Sequence, residues 1–308
     1  MRSSRPPPSV STLPNPDLFI LMYVRKEAVL SSQIEGTQSS LHDLLAAEAA
    51  LVDAQRPQDV AEVINYVAAM KHGLARLPQL PVSVRLIREI HARLMQGARG
   101  GRMQPGEIRH TQNWIGPAGC TLSTATFVPP PAHEVADALG ALEKFLHVEN
   151  DLPPLVKIAL AHVQFETIHP FLDGNGRVGR LLITFLLMEC GILHKPVLYL
   201  SHYLKRERQR YYEHLQAVRD TGAWEPWLQF FLEGVIEVAA EAAETARRIQ
   251  MLREQHRAAI TSKLGRAAGN GHKVLELLFD RPIVSVAEVR GLTATTYAAA
   301  NVLVQRLC

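Results

Sequence analysis

His169-Pro170-Phe171-Leu172-Asp173-Gly174-Asn175-Gly176-Arg177-Val178-Gly179-Arg180 is the stretch on which the reading of this chain turns. It brings together a histidine suited to general-base work, a carboxylate suited to a hard cation, two glycines flanking an asparagine, and two arginines. The apolar run Leu181, Leu182, Ile183, Phe185, Leu186, Leu187 and Met188 follows at once and predicts a buried helix, with the glycines at its N-terminus. Free backbone N–H groups and the positive end of the helix dipole make such a position an anion site. Arg177 and Arg180 lie on neighbouring faces of the first turn and can reach one phosphate chain.

Other readings of the stretch fare worse. Gly174, Gly176 and Gly179 also spell G-x-G-x-x-G, but a dinucleotide fingerprint needs a strand before it and an acidic residue about 20 positions later. Here Val156 to Phe165 is helix-patterned and Leu193 to Leu198 holds no acid. The chain has no G-x-x-x-x-G-K-[ST] and no H-E-x-x-H. His169 and Asp173 fall short of the about four ligands a structural zinc needs. Asp-Gly and Asn-Gly pairs are common in turns. A plain turn explains the glycines but not His169, Arg177 and Arg180 in this order.

Working outward, the 308 residues are enough for two or three cores, and 47% apolar content marks a globular chain. Lys+Arg 33 against Asp+Glu 30 gives a net charge of +3, too balanced to argue for nucleic acid by bulk electrostatics. Cys120, Cys190 and Cys308 have unrelated spacings, so neither a disulfide frame nor a zinc site is expected, and a reducing, cytoplasmic setting is the default. Met1 to Pro16 is rich in Pro and Ser, lacks the apolar core of a signal peptide, and is expected to be a flexible leader. The longest apolar stretch, Leu181 to Leu193, is interrupted by Thr184, Glu189 and Gly191. It is shorter than the about 20 residues that span a bilayer, so no membrane partner is expected.

Helical periodicity predicts an all-α chain. Helices are expected over Asp17 to Ile34 with Gly36 as a stop, Leu41 to Val52, Asp59 to Leu77, Val82 to Leu94, Ala132 to Val148, Pro154 to Thr167, Ser201 to Arg219 and Trp224 to Val238. Pro105 to Pro131 breaks the pattern. Thr121 to Val128 has β-branched content and predicts a small hairpin flap closed by Pro129, Pro130 and Pro131. Ala239 to Lys263 is a charged connector helix, Gly265 to Gly271 a linker, and Lys273 to Phe279, Ser285 to Arg290 and Thr295 to Leu307 three short helices spaced like a helix-turn-helix. The expected organisation is a leader (1–16), an N-terminal helical region (17–95), a core carrying the motif (96–238), connector and linker (239–271), and the tail (272–308).

The motif resembles that of the Fic (filamentation induced by cAMP) family, H-P-F-x-[DE]-G-N-G-R-x-x-R, at every fixed position. Arg109 to Gly116 and Phe127 to Pro131 look like that family's flap, Ser31-Ser32-Gln33-Ile34-Glu35-Gly36 like its inhibitory [ST]-x-x-x-E-[GN] motif, and Tyr211-Tyr212 stand where relatives line the adenine pocket. Similarity covers about residues 15–235, and the remainder is similar to the winged-helix tail of many bacterial relatives.

The resemblance implies a helical bundle that transfers AMP from ATP to a protein hydroxyl. His169 is then the base, since its ordinary pKa lies near neutral and a hydroxyl is a poor nucleophile until deprotonated. Asp173 suits Mg²⁺ shared with phosphates. Gly174, Asn175, Gly176, Arg177, Val178, Gly179 and Arg180 would hold the nucleotide: the glycines admit backbone N–H groups to the α-phosphate, Arg177 takes the β-phosphate and Arg180 the γ-phosphate. Glu35, with Ser31 and Gly36, would occupy the Arg180 fork and leave the site competent but held off. The flap is either a docking edge for an unidentified protein target or an ordinary hairpin over the bundle. Thr124, Ala125, Thr126 and Phe127 can also cover the nucleotide, Tyr211 or Tyr212 can stack on adenine with only one needing to face the site, and Arg206 can reach the nucleotide.

Two alternatives stay open. Relatives with similar loops transfer phosphate, phosphocholine or UMP, or remove AMP. The intact Gly174 to Arg177 and Arg180 favour ATP. The tail offers Thr295, Thr296, Tyr297, Asn301 and Gln305 for reading bases, yet it is barely positive and ends at Cys308 without a wing hairpin, as a bare helix-turn-helix or a shortened sequence would. Protein docking or a homodimer is preferred there over DNA.

Overall fold

The computed structural model describes residues 16–49, 58–97, 103–117 and 119–307. The expected leader therefore lies outside the description save Pro16, as does the expected end of the second helix beyond Ala49. In chain order the helices are α1 (Pro16–Ile34), α2 (Leu41–Glu48), α3 (Gln58–Arg76), α4 (Val84–Leu94), α5 (Val135–His147), α6 (Pro154–Ile168), α7 (Asn175–Glu189), α8 (Ser201–Arg206), α9 (Arg208–Thr221), α10 (Trp224–Leu264), α11 (Ala268–Asp280), α12 (Val286–Thr293) and α13 (Tyr297–Leu307). The chain is all-α, and no strand occurs among the described residues. No helix of the described residues is long and apolar enough to cross a membrane.

Local chemistry sets several ends. Ser40 accepts from the Asp43 N–H while the Asp43 carboxylate accepts from the Ser40 N–H, a reciprocal cap that starts α2. Ser285 and Glu288 do the same at α12. Pro154 occupies the first turn of α6, where a missing N–H costs nothing. Gly36, at φ +98°, follows the turn after α1 and lets the chain reverse.

The centre of the fold is α7. From Arg177 to Leu187 it is buried on every face, with α1, α3, α4 and α6 packed around it. A helix walled in this way has no use for a polar stripe, which is why Leu181 to Leu187 lacks one. Trp227 of α10 is fully buried and donates its indole N–H to the Ala159 carbonyl, joining α10 to α6.

Three expectations need correction. The hairpin flap is not formed: Leu122–Thr124 is a 3-10 turn, and a single antiparallel bridge joins Ile115 to Phe127. Thr124 Oγ1 accepts the Thr121 N–H at 2.9 Å, so threonine side chains satisfy the backbone locally and override their strand preference. The connector is not separate, because α10 runs unbroken from Trp224 through it. Gly265 to Gly271 is not an irregular linker either. It forms a 3-10 turn and the start of α11, with Gly271 lying against Ile260 and Leu264.

Helix α10 thus takes part in two apolar cores. Trp227, Phe230, Phe231 and Val238 belong to the first, and Ile260 and Leu264 join Val274, Leu275, Val289, Ala300 and Leu303 in the second. Between Val238 and Ile260 none of its residues is buried. On α13 Tyr297 and Val302 are exposed.

Candidate active site

The loop between α6 and α7 is held from four sides. His169 ends α6 in the left-handed region, φ 49° and ψ 61°, a conformation that costs a non-glycine residue roughly 1–2 kcal/mol. Its N–H still reaches the Phe165 carbonyl at 3.0 Å. Its own carbonyl accepts from Arg109 Nε at 2.9 Å and Asn113 Nδ2 at 3.4 Å. Arg109 is fully buried and also donates to the carbonyls of Thr111 and Pro130. A guanidinium set among the last carbonyls of a helix opposes their partial negative charge. The Asn175 side chain accepts from the Phe171 N–H and donates to the Phe171 carbonyl, both at 2.8 Å, closing the loop on itself. His91 of α4 stacks on Phe171 with ring centres 3.7 Å apart. It accepts from the Gly106 N–H at 2.8 Å through Nδ1, which leaves the proton on Nε2 to be donated to the Asp173 carbonyl at 3.0 Å.

Gly174 stands at the N-cap of α7 with φ +79°, and a side chain there would meet Met95 and His91. Asp173 Oδ1 accepts the Gly174 N–H at 2.6 Å, while Oδ2 has no hydrogen bond to the described residues. The carboxylate is half exposed. Among the described residues no cluster of three His, Cys, Asp or Glu side chains could hold a metal by itself. One exposed carboxylate suits a cation that keeps its waters and takes its other ligands from phosphate, as Mg²⁺ does.

The two motif arginines differ in their surroundings. Arg180 is buried and held through Nε and Nη2 by α1 and the turn after it: Nε donates to Ser31 Oγ at 2.8 Å, and Nη2 donates to the Ser31 carbonyl at 3.0 Å and to Glu35 Oε1 at 2.6 Å. The Glu35 carboxylate lies directly over Gly176, where any side chain would strike it. It therefore sits at the anion position of the α7 N-terminus. Partial burial pushes the Glu35 carboxyl up, but Arg180, Arg177 and His169 outweigh it and hold its pKa below the ordinary value. Arg177 is instead turned to α3 and α4, with Nη1 3.3 Å from Glu62 Oε2 and Nη2 3.6 Å from Met95 Sδ.

Burial first, then the Arg219 charge, lowers the pKa of His169 to about 4, against the opposing pull of Glu35. The imidazole is thus neutral near neutral pH, the form a base must have. Its Nδ1 is buried without a hydrogen bond of ordinary geometry.

Several expected site residues are placed elsewhere. Val178 lies in the core, with its N–H used by the Gly174 carbonyl, and the Gly179 carbonyl accepts from His162 Nδ1. Both face inward rather than toward a nucleotide. Tyr211 is buried against His162, Tyr212 and Trp227 and hydrogen-bonds His162 Nε2 at 2.8 Å, so only Tyr212, 40% exposed, offers a ring at the surface. Arg206 is clamped to Glu237 and Glu207 and stacks near Tyr203, which commits it to α10 rather than to the motif. In the flap, Thr126 and Phe127 donate N–H groups to the Ile115 carbonyl, and Thr124 and Ala125 belong to the turn and its exit. Phe127 lies over the Arg219 guanidinium, 4.0 Å from ring centre, and Arg219 donates to the Glu166 carbonyl at 3.0 Å. The flap is in this way tied to the last turn of α6.

Comparison with known proteins gives the site its context. The Fic/DOC family N-terminal model matches residues 9–75, and the Fic/DOC family model matches residues 81–187. The chain belongs to the Fic/DOC family. Among curated Fic/DOC relatives, the Protein adenylyltransferase Fic of Drosophila grimshawi is 32% identical over 203 residues, covering 64% of this chain and 37% of the fly protein. That of Drosophila melanogaster is 30% identical over 203 residues, with 64% and 36% covered. The chain thus spans little more than a third of the length of these relatives. Among solved structures, a Fic family protein from Desulfovibrio desulfuricans superposes with a TM-score of 0.63 at 24% identity, covering 73% of this chain and 66% of that one. Fic-1 of C. elegans gives 0.55 at 23% identity, covering 80% and 66%. These likenesses establish the fold.

Three residues of this Fic/DOC site, His91, Glu62 and Glu166, carry no role in the sequence reading, and Arg109 enters it only as the start of the flap. His91 and Glu62 lie on amphipathic helices, where a polar residue on the inner face looks like any helix-surface residue until its partner is known. Arg109 stands in an irregular segment without periodicity. Glu166 precedes His169 by one helical turn, and its buried Oε1 has no hydrogen-bond partner. For the three on helices, the one signal available was a titratable side chain at a position facing the core.

Proposed function

We propose that the chain transfers AMP from ATP to a protein hydroxyl, and that Glu35 holds this activity back. The observation that carries the reading is the anion position at the start of α7, lined by Arg177 and Arg180, with neutral His169 ending the preceding helix and the Glu35 carboxylate seated over Gly176. A carboxylate bound where a phosphate would bind is a substrate mimic built into the chain.

In the proposed step the target hydroxyl loses its proton to His169 as its oxygen bonds to the α-phosphorus. The bond from that phosphorus to the bridging oxygen breaks, and pyrophosphate leaves with the electron pair. Backbone N–H groups at Gly176 and Arg177 would stabilise the charge on the α-phosphate. Asp173 would hold Mg²⁺, which when bound neutralises charge on the leaving phosphates. The flap turn, with Trp114, Leu122 and Val128 exposed, is the surface we expect a target segment to meet.

The whole 308-residue chain carrying Glu35→Gly, incubated with α-labelled ATP and a lysate or alone, is expected to label protein. The same variant with His169→Ala is expected to lose the label. Equal labelling with and without His169 would overturn the assignment of the base.

For the tail, exposed Tyr297 and Val302 favour docking to protein or to a second copy over reading DNA. A tight, sequence-selective gel shift with duplex DNA would reverse that order.

A further inference from the structure

We infer that Glu62 of α3 is a positioning residue for Arg177, setting the guanidinium so that one of its N–H groups is left for a phosphate oxygen. The inference rests on the reading of the α7 N-terminus as an ATP site.

Three observations converge on it. Glu62 and Arg177 are both largely buried, with side-chain exposures of 15% and 6%, and their contact at 3.3 Å uses only Nη1. Glu62 is the more buried of the two carboxylates that meet this guanidinium, Asp173 being half exposed, and breaking a buried pair would strand a charge, so Glu62 fixes the orientation. The remaining donors are poorly served. Nε is buried without a partner, and Nη2 reaches only the Met95 sulfur at 3.6 Å, with Asp173 Oδ1 at 3.7 Å. A thioether is a weak acceptor, so a phosphate oxygen can displace it at little cost.

Arg180 provides the contrast. Its Nε and Nη2 are already bound to Ser31 and Glu35, so a phosphate must evict the carboxylate to take its place on Nη2. The two glutamates that meet the motif arginines therefore do opposite things. Glu35 takes a donor a ligand needs, whereas Glu62 takes Nη1 and leaves Nη2 facing only a weak acceptor and a longer ion pair. Helix α3 thus contributes to the site through Glu62 as α1 does through Ser31.

The test is a double-mutant cycle on ATP affinity, read by calorimetry with Mg-ATP on the full chain carrying Glu35→Gly and His169→Ala so that no turnover occurs. Glu62→Ala is expected to weaken ATP binding about tenfold, the scale of one charge-assisted hydrogen bond. Glu62→Gln, which keeps an acceptor, is expected to recover part of the loss. In an Arg177→Ala background, Glu62→Ala is expected to change nothing further. Affinity unchanged or improved in Glu62→Ala would mean a bystander or a second lock. An equal loss with and without Arg177 would mean a general packing role. Either overturns the inference while leaving the ATP site in place. Absence of ATP binding in the parent would instead bring down the ATP reading, and this inference with it.

Discussion

Glu35 Oε1 accepts from Arg180 Nη2 at 2.6 Å, and the same carboxylate covers Gly176. Two separable effects follow: the charge of Glu35 competes with phosphate for Arg180, and its bulk occupies the start of α7. Glu35→Gln removes the charge and keeps the bulk. It is expected to raise labelling from ATP to a level between wild type and Glu35→Gly, with each step about tenfold or more, as loss of a charge-assisted hydrogen bond implies. Initial rates at saturating ATP measure this, and a Gln variant as active as Gly would assign the whole effect to charge.

The base should work far into acid. Burial and Arg219 lower the His169 pKa to about 4, so the neutral form prevails from that value upward. In the Glu35→Gly variant, labelling is expected to stay flat from about pH 8 down to about pH 6, where an ordinary imidazole near 6.5 would already be mostly protonated. Replacing Arg219 by Met removes the second cause of the shift and is expected to move the acid limb toward neutral. A limb near 6.5 in the parent variant would contradict the assignment.

The motif, Gly36 as a stop and most helix positions could be read from the chain, because each depends on local chemistry: apolar period, caps, and glycine where φ is positive. The flap could not. Its threonines favour strand on average, and only the pairing of Thr121 with Thr124 side chains tips the segment into a turn. Nor could the continuity of α10, since an exposed Ala-rich stretch has the same composition whether it is one helix or two. The partners of the arginines lie 145 positions away for Arg180 and 115 for Arg177, beyond any local signal. Resemblance to a known motif supplied Glu35, and nothing supplied Glu62.

Glu166 gives a stability test with a defined sign. Burial, opposed by Arg180 and helped by Glu35, raises its pKa from 4.5 to about 7. A carboxyl that binds its proton more tightly when folded contributes stability fully below its unfolded pKa. That contribution is lost as pH rises through the folded value. The wild type is therefore expected to lose stability between about pH 4.5 and pH 7 on this account. Glu166→Gln should remove the loss, so its gain over wild type in urea unfolding is larger at pH 8 than at pH 5. A difference independent of pH would mean Glu166 does not titrate on unfolding.

Histidine burial acts in the opposite direction. His91, His162 and His169 have pKa values pushed down, chiefly by burial, to about 4, 3 and 4. Each binds its proton more readily unfolded, so stability is fully present above about pH 6.5 and is lost as pH falls from there toward pH 4. His162→Gln is expected to flatten that acid limb in thermal melts, at the cost of stability near neutral pH because the stack with Tyr211 and Trp227 is lost.

Tyr211 and Tyr212 are adjacent yet have different surroundings, and their variants should separate cleanly. Tyr211 is buried and its hydroxyl partners His162, so Tyr211→Phe leaves a buried imidazole acceptor unpaired. That is expected to cost about 1–3 kcal/mol of stability, with ATP affinity little changed. Tyr212 is 40% exposed, and its pKa is raised by burial first and then by the charge of Glu35, against Arg180. Tyr212→Ala is expected to leave the melting temperature nearly unaltered and to weaken ATP binding in the Glu35→Gly variant by roughly tenfold, the loss of one base-stacking surface. Tyr212→Phe, which keeps the ring, should retain affinity. If Ala and Phe at this position bind ATP equally well, the ring takes no part in holding the base, and the exposed tyrosine is a surface residue of α9.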